Sequence, residues 1–220
     1  MDLSFAWLLG SLGFRVRLAV AEVGCNQNIP AHVVVLVDGL ILPAAPAAAE
    51  GVIKEEEGNV PSSVLVDVGF GTPGVCNVVL PLLHDAPMSD VHGDLFRFAS
   101  CTEIDRFDTV LYRKRLVTGN TGDEEEPMYR FRASDDLPPN ADEFSLGLHH
   151  VLNHSPTFNE KRLCVLSTDG GHCTLGEGYV KWMERGEAVR TVELESEGQW
   201  REALLDHFGV VLDYDTGHDQ

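Results

Sequence analysis

Asp67 is the residue hardest to explain by folding alone. It stands in Val64-Leu65-Val66-Asp67-Val68-Gly69-Phe70-Gly71, where every neighbour is apolar or glycine. A carboxylate carried into an apolar strand is costly unless it is paired or hydrogen-bonded. His32 is its natural partner, because it opens the apolar run His32-Val33-Val34-Val35-Leu36-Val37-Asp38. Antiparallel pairing of the two runs brings the start of one level with the end of the other. A carboxylate that holds an imidazole in one tautomer is the rear half of a nucleophile-activating triad. The plainer alternative is an aspartate bonded to backbone amides near Gly69 and Gly71, beside an unrelated histidine. A second polar grouping, His149, His150 and His154, invites a metal reading, since His150 and His154 share a helical face at i, i+4. No glutamate stands between them in a zincin pattern, so polar surface and no bound metal is the expectation.

The elements that must position Asp67 and His32 are strands. Residues 32–38 and 64–70 read as two buried strands of one hairpin, joined by a long loop, 39–63, that mixes Pro, Ala and a Glu run. Ahead of them, residues 3–12 form an apolar helix that stops at Gly13, and Phe14-Arg15-Val16-Arg17-Leu18 alternates like a strand. Three alternating segments, 94–100, 109–117 and 127–134, make an antiparallel meander. Asn140 or Asp142 caps a helix of about ten residues that ends before Pro156. Residues 161–168 and 172–183 form a hairpin around Asp169-Gly170-Gly171, and a last amphipathic helix is capped by Ser196 and stopped by Gly209. The whole reads as α+β with a central antiparallel sheet or barrel.

Composition narrows the function classes. The chain carries 35 acidic against 16 basic residues, a formal charge of −19, which repels nucleic acid and anionic membrane surfaces. Anionic ligands must therefore be met by local donors, and Tyr112-Arg113-Lys114-Arg115 or Lys161-Arg162 are the clusters available. Five cysteines, Cys25, Cys76, Cys101, Cys164 and Cys173, show no CxxC spacing and read as free thiols in a reducing cytosol. Asp2, Arg15 and Arg17 argue against a signal peptide at the apolar N-terminus, and no run approaches the length of a membrane span.

Taken in order, the pieces resemble a known family. A helix ending Leu8-Leu9-Gly10-Ser11-Leu12-Gly13-Phe14, a strand, His32 with its apolar run, Val66-Asp67-Val68-Gly69-Phe70-Gly71 followed by Leu80-Pro81-Leu82, and later Phe158-Asn159-Glu160-Lys161-Arg162-Leu163-Cys164 with Asp169-Gly170-Gly171-His172-Cys173-Thr174-Leu175-Gly176 stand in that sequence. In this arrangement the chain resembles the arylamine N-acetyltransferases over essentially its whole length. The resemblance implies a cysteine-proteinase-like superfamily fold with a helical domain, a β-barrel domain and an α/β lid. On that basis residues 1–14 are a remnant of the helical domain, 15–138 the barrel with loop 39–63, and 139–220 the lid.

The same resemblance implies ping-pong acetyl transfer from acetyl-CoA, as cosubstrate, to an arylamine or arylhydrazine, a role in xenobiotic metabolism. It also implies a cysteine, a histidine and an aspartate in that chain order. His32 matches the family's histidine and Asp67 its aspartate. The family's nucleophile lies in an RGGxC motif at the start of the helix that ends in LGF, which counts back to about three residues before Met1. The 220 residues are therefore expected to lack the nucleophile and to be inactive as they stand. Cys25, seven residues before His32, is a weak substitute, because its loop offers no helix N-terminus to favour a thiolate. The family's CoA contacts fall by position on Asn28, Ile29 and Ala31 and on Ser155 to Thr157. The chain departs from the family after Ser155-Pro156, where further serines are usual. The alternative reading is a non-catalytic remnant that binds CoA, or a protein partner through surface bared by the missing domain.

Overall fold

The computed structural model describes residues 2–25, 29–40, 63–70, 79–90, 93–102, 106–115, 124–134, 141–155, 159–184 and 186–212. Its first helix, α1 (Asp2–Ser11), ends as the sequence dictates. Gly13 takes φ 92°, its N–H reaches Gly10 O at 3.0 Å and the Phe14 N–H reaches Leu9 O at 3.1 Å. These two bonds satisfy carbonyls that the helix end would otherwise orphan.

Eight strands follow in one antiparallel sheet: β1 (Arg15–Val23), β2 (His32–Asp38), β3 (Ser63–Val66), β4 (Leu80–Pro81), β5 (Met88–Ser89), β6 (Leu95–Ser100), β7 (Thr109–Lys114) and β8 (Glu126–Phe131). Their order is β4-β3-β2-β1-β8-β7-β6-β5. The expected meander is β6-β7-β8, and β1 joins it to the β2-β3 hairpin through the Glu22↔Arg130 register. The sheet curls until its two ends nearly meet, for the chain leaving β4 forms a parallel bridge from His84 to Phe98 on β6.

β2 is apolar at successive positions because both of its faces are covered. Val34 and Leu36 point into the interior with Tyr129, Phe131, Phe96 and Phe98. Val35 and Val37 lie on the outer face under Ala6, Phe5 and Leu9 of α1. Each such side chain, fully buried, is worth about 1.5–3 kcal/mol relative to exposure. The other side of α1 is bare, with Trp7 74% exposed, and Leu12 just past its end is 66% exposed.

Three expectations are revised. The strand read over 64–70 stops at Val66, and Asp67 stands just past it in a turn. The helix read as about ten residues is α2 (Ala141–His154), fourteen long; Asp142 lies in its first turn, and Asn140 is outside the described residues. The single hairpin after 161 is part of a second, four-stranded sheet of β9 (Cys164–Thr168), β10 (Gly171–Leu175), β11 (Tyr179–Glu184) and β12 (Glu187–Glu193). The run 172–183 breaks in two at Gly176 to Gly178, where the Gly176 N–H bonds Tyr179 O at 2.9 Å. The last helix, α3 (Glu197–Phe208), covers this sheet with Trp200, Ala203 and Leu204. Its caps are the expected ones, Ser196 accepting from the Gln199 N–H and Gly209 at φ 66°. The loop 39–63 lies almost wholly outside the described residues.

Candidate active site

Past the end of β3 the chain turns on its own aspartate. Asp67 Oδ1 accepts from the Gly69 N–H at 3.0 Å and the Phe70 N–H at 3.1 Å, a local arrangement in which the side chain stands in for a backbone carbonyl. Oδ2 is left for His32 Nε2, 2.8 Å away. Asp67 thus bonds its own turn with one oxygen and the histidine with the other, so His32 is its partner and not an unrelated neighbour.

The register explains why the turn matters. Val35 pairs with Val66, so continuing the ladder would set His32 against position 69. Leaving the strand at Asp67 lets its carboxylate reach back across those two positions.

A carboxylate only accepts, so the neutral His32 ring carries its proton on Nε2 and leaves Nδ1 as the open acceptor. Little of the pair meets solvent: the side chains are 10% and 6% exposed. Phe70 meets the imidazole edge-on at 5.3 Å between centroids, and Tyr129 lies tilted at 5.5 Å. These two rings had no signal as a pair in the sequence, because Tyr129 arrives from β8, ninety-seven positions on.

His32 opens on a cavity of about 170 Å³ lined also by Leu3, Pro30, Ala31, Val33, Phe144, Gly147, Leu148 and Val151. Leu3 brings the N-terminal turn of α1 to the cavity. The last four are one stripe of α2, at i, i+3, i+4 and i+7. That spacing was visible in the sequence, though not what it faced.

Other expected site residues are less engaged. Ile29 leads into the site, its carbonyl accepting from the Ala31 N–H at 2.9 Å. Ser155 closes α2 and accepts through its carbonyl from the Asn159 N–H at 3.1 Å. Neither is among the described residues lining the cavity. Asn28, Thr157 and Cys76 lie outside the described residues.

The arginines of both basic clusters pair with glutamates. Arg113 and Arg115 bond Glu126, and Arg162 bonds Glu197 at 2.7 Å while its guanidinium stacks on Trp200. Burial pushes the Cys25 thiol up to about 11, only partly opposed by Arg130, and burial likewise raises Cys164 and Cys173. A nucleophile requires the reverse. The His149, His150 and His154 rings cluster at the end of α2, but no group of three potential ligands placed to hold a metal occurs among the described residues.

Comparison with known proteins places this fold. A family model described as N-acetyltransferase matches residues 55–216, a span that includes Asp67 and begins after His32. The chain belongs to this N-acetyltransferase family. Among solved structures it is similar to the arylamine N-acetyltransferase of Salmonella typhimurium, with 21% identity, 97% of this chain and 68% of that one covered, and TM-score 0.68. It is also similar to an arylamine N-acetyltransferase of Bacillus cereus described with a Cys-His-Glu catalytic triad (17% identity, 96% and 72% covered, TM-score 0.68). A third is the Mycobacterium marinum arylamine N-acetyltransferase in complex with CoA (20% identity, 95% and 67% covered, TM-score 0.64). The fold is thus that of the arylamine N-acetyltransferases. No curated protein matches the sequence.

Proposed function

We propose that this chain carries the base and its orienting carboxylate for acetyl transfer from acetyl-CoA to an arylamine or arylhydrazine. The observation that carries the reading is the His32 Nε2 to Asp67 Oδ2 bond of 2.8 Å on the wall of a mostly apolar cavity that the first turn of α1 also lines. In this reaction Nδ1 of His32 takes the proton of a cysteine thiol, and the thiolate attacks the acetyl carbonyl. CoA leaves as its thiol, taking the proton back. The arylamine nitrogen then attacks the acetyl thioester, His32 accepts the amine proton and returns it to the sulfur, and the amide departs. Asp67 holds the ring and favours the imidazolium that forms between these steps.

The thiol in this step is the cysteine that the family resemblance implies. Burial raises the Cys25, Cys164 and Cys173 thiols away from the thiolate that this step needs. The segments that the resemblance gives to CoA belong to two elements in contact: Ile29 leads into Pro30, which shares the cavity with α2, and Ser155 ends α2. The M. marinum relative bound to CoA supports acetyl-CoA as the cosubstrate. The thiols fit a reducing cytosol, and the resemblance implies a role in xenobiotic metabolism.

The test is release of CoA from acetyl-CoA with an arylamine present, measured for the protein as its own cell makes it and for its His32→Ala and Asp67→Ala variants. Turnover should be lost on His32→Ala and strongly reduced on Asp67→Ala. Turnover unchanged by His32→Ala would sink this assignment of the base.

A second reading rests on α1. Its Trp7 and Leu8 are 74% and 46% exposed, as is Leu12 just past its end at 66%, which marks a surface for protein contact. In that reading the fold is non-catalytic and binds CoA or a protein partner. A monodisperse monomer that melts cooperatively counts against it.

A further inference from the structure

We propose that Gly147 is a positioning residue for His32, and this rests on the reading of His32 as the base. Helix α2 lies directly on the peptide that enters β2. A Cβ built on Gly147 would stand 1.8 Å from the Pro30 carbonyl oxygen and 3.4 Å from Ala31 Cα. No side chain fits there, and the obstacle is backbone on both sides, so it cannot swing away. To clear even 3.0 Å, α2 or the Pro30–Ala31 peptide must move by more than 1 Å.

Glycine in a helix interior costs about 1 kcal/mol relative to alanine, so its place in the middle of α2 needs a compensating contact, and the close approach supplies one. Gly147 is the notch in the stripe Phe144, Gly147, Leu148 and Val151 that walls the His32 cavity. One turn earlier, Glu143 bonds Arg106 at 2.6 Å, just ahead of β7, so α2 is held against the sheet from a second point. Pro30 and Ala31 are thereby clamped immediately before His32. A shift of about 1 Å at a reacting group is enough to cost a hundredfold in rate in enzymes generally.

The experiment is NMR of the imidazole nitrogens and of the amides flanking His32, on the full chain and on Gly147→Ala. The Ser145→Ala variant, on an exposed face of the same helix, serves as control. The expected result for Gly147→Ala is loss of the single-tautomer signature of His32, with Nε2 and Nδ1 shifts moving toward those of a freely averaging ring. Amides of the β9 to β12 sheet and the signals of Ser145→Ala should stay in place. A folded Gly147→Ala protein with His32 nitrogens unmoved overturns the proposal.

If that variant does not fold, the unsubstituted chain decides. Nuclear Overhauser contacts between the Gly147 and Ala31 Hα protons are expected, and their absence also overturns it. These readouts report the ring and not acetyl transfer, so a chain that transfers no acetyl group leaves the test of Gly147 intact.

Discussion

Asp67 divides its carboxylate between two structures, its own turn through Oδ1 and the imidazole of His32 through Oδ2. The two roles can be separated by substitution. Asp67→Asn keeps an oxygen for the Gly69 and Phe70 amides and loses the charge that orients the ring. Asp67→Ala loses both. The Gly69 amide is exposed and the Phe70 amide half-buried, and a typical net hydrogen bond is worth about 0.5–1.5 kcal/mol. Chemical denaturation should therefore rank the variants wild type, Asn, Ala in falling stability, with the two substitutions separated by about 0.5–1.5 kcal/mol. Imidazole NMR should show His32 switched to the Nδ1–H tautomer in the Asn variant, whose side-chain N–H only donates to Nε2, and averaging between tautomers in the Ala variant. Equal stability of the Asn and Ala variants would contradict the shared role.

Cys25 is the thiol nearest His32 in sequence and the one whose chemistry is most clearly defined by burial. With its pKa at about 11, only about one molecule in a thousand is thiolate at pH 8, and the thiolate is the reactive form. Alkylation followed by mass spectrometry should find Cys25 labelled slowly at pH 8, with a rate that climbs about tenfold per pH unit until the pH nears 11. Labelling as fast as a free peptide thiol at neutral pH would contradict this.

Carboxylates that fasten the main sheet set its acid limit. Arg17 donates to both oxygens of Asp38, at 2.9 and 3.1 Å, and holds its carboxyl below the ordinary range. Burial pushes Asp108 up, but bonds from the Ser134 hydroxyl, the Ala133 and Ser134 amides and Thr109 outweigh it, and the result is again a lowered value. A depressed folded pKa means that these groups contribute fully above the unfolded value, near 4, and that the contribution fades as pH falls through the folded value. Urea midpoints should hold from neutrality to about pH 5 and fall steeply below 4. Asp38→Asn should be less stable at pH 7 and show a shallower acid slope.

Glu22 and Arg130 sit opposite one another on β1 and β8, 0% and 8% exposed at the side chain, with the guanidinium also over the Phe107 ring at 5.2 Å. Removing one partner leaves a buried charge, at a cost of about 3–5 kcal/mol, whereas replacing both with apolar groups of similar volume is often neutral. Glu22→Leu and Arg130→Met should each destabilise strongly, and the double substitution should recover most of the loss. A double variant as unstable as the sum of the singles would refute the account.

Much of this architecture was legible in one dimension because its signals are local. Gly13 and Gly209 end helices through a backbone conformation that other residues rarely adopt, Ser196 caps through a hydroxyl that accepts from the Gln199 amide three residues on, and the β2 run declares itself by β-branching and length. The pairing of His32 with Asp67 was readable for a related reason: a carboxylate among valines must find a partner, and an antiparallel hairpin limits where that partner can be. The end of β3 was misread because Asp67 competes locally for the backbone, bonding Gly69 and Phe70 amides that a strand would have offered to its neighbour.

Tertiary structure alone decided what stands around the pair. Tyr129 reaches His32 from a strand far along the chain, Leu3 brings in the start of α1, and α2 presses Gly147 onto Pro30. Contacts between distant segments depend on how whole faces pack, and no local propensity encodes them. So the sequence by itself determined the chemical types and their hairpin, while packing decided which nitrogen of His32 is held, how wide the cavity is, and which arginines were already spoken for by glutamates.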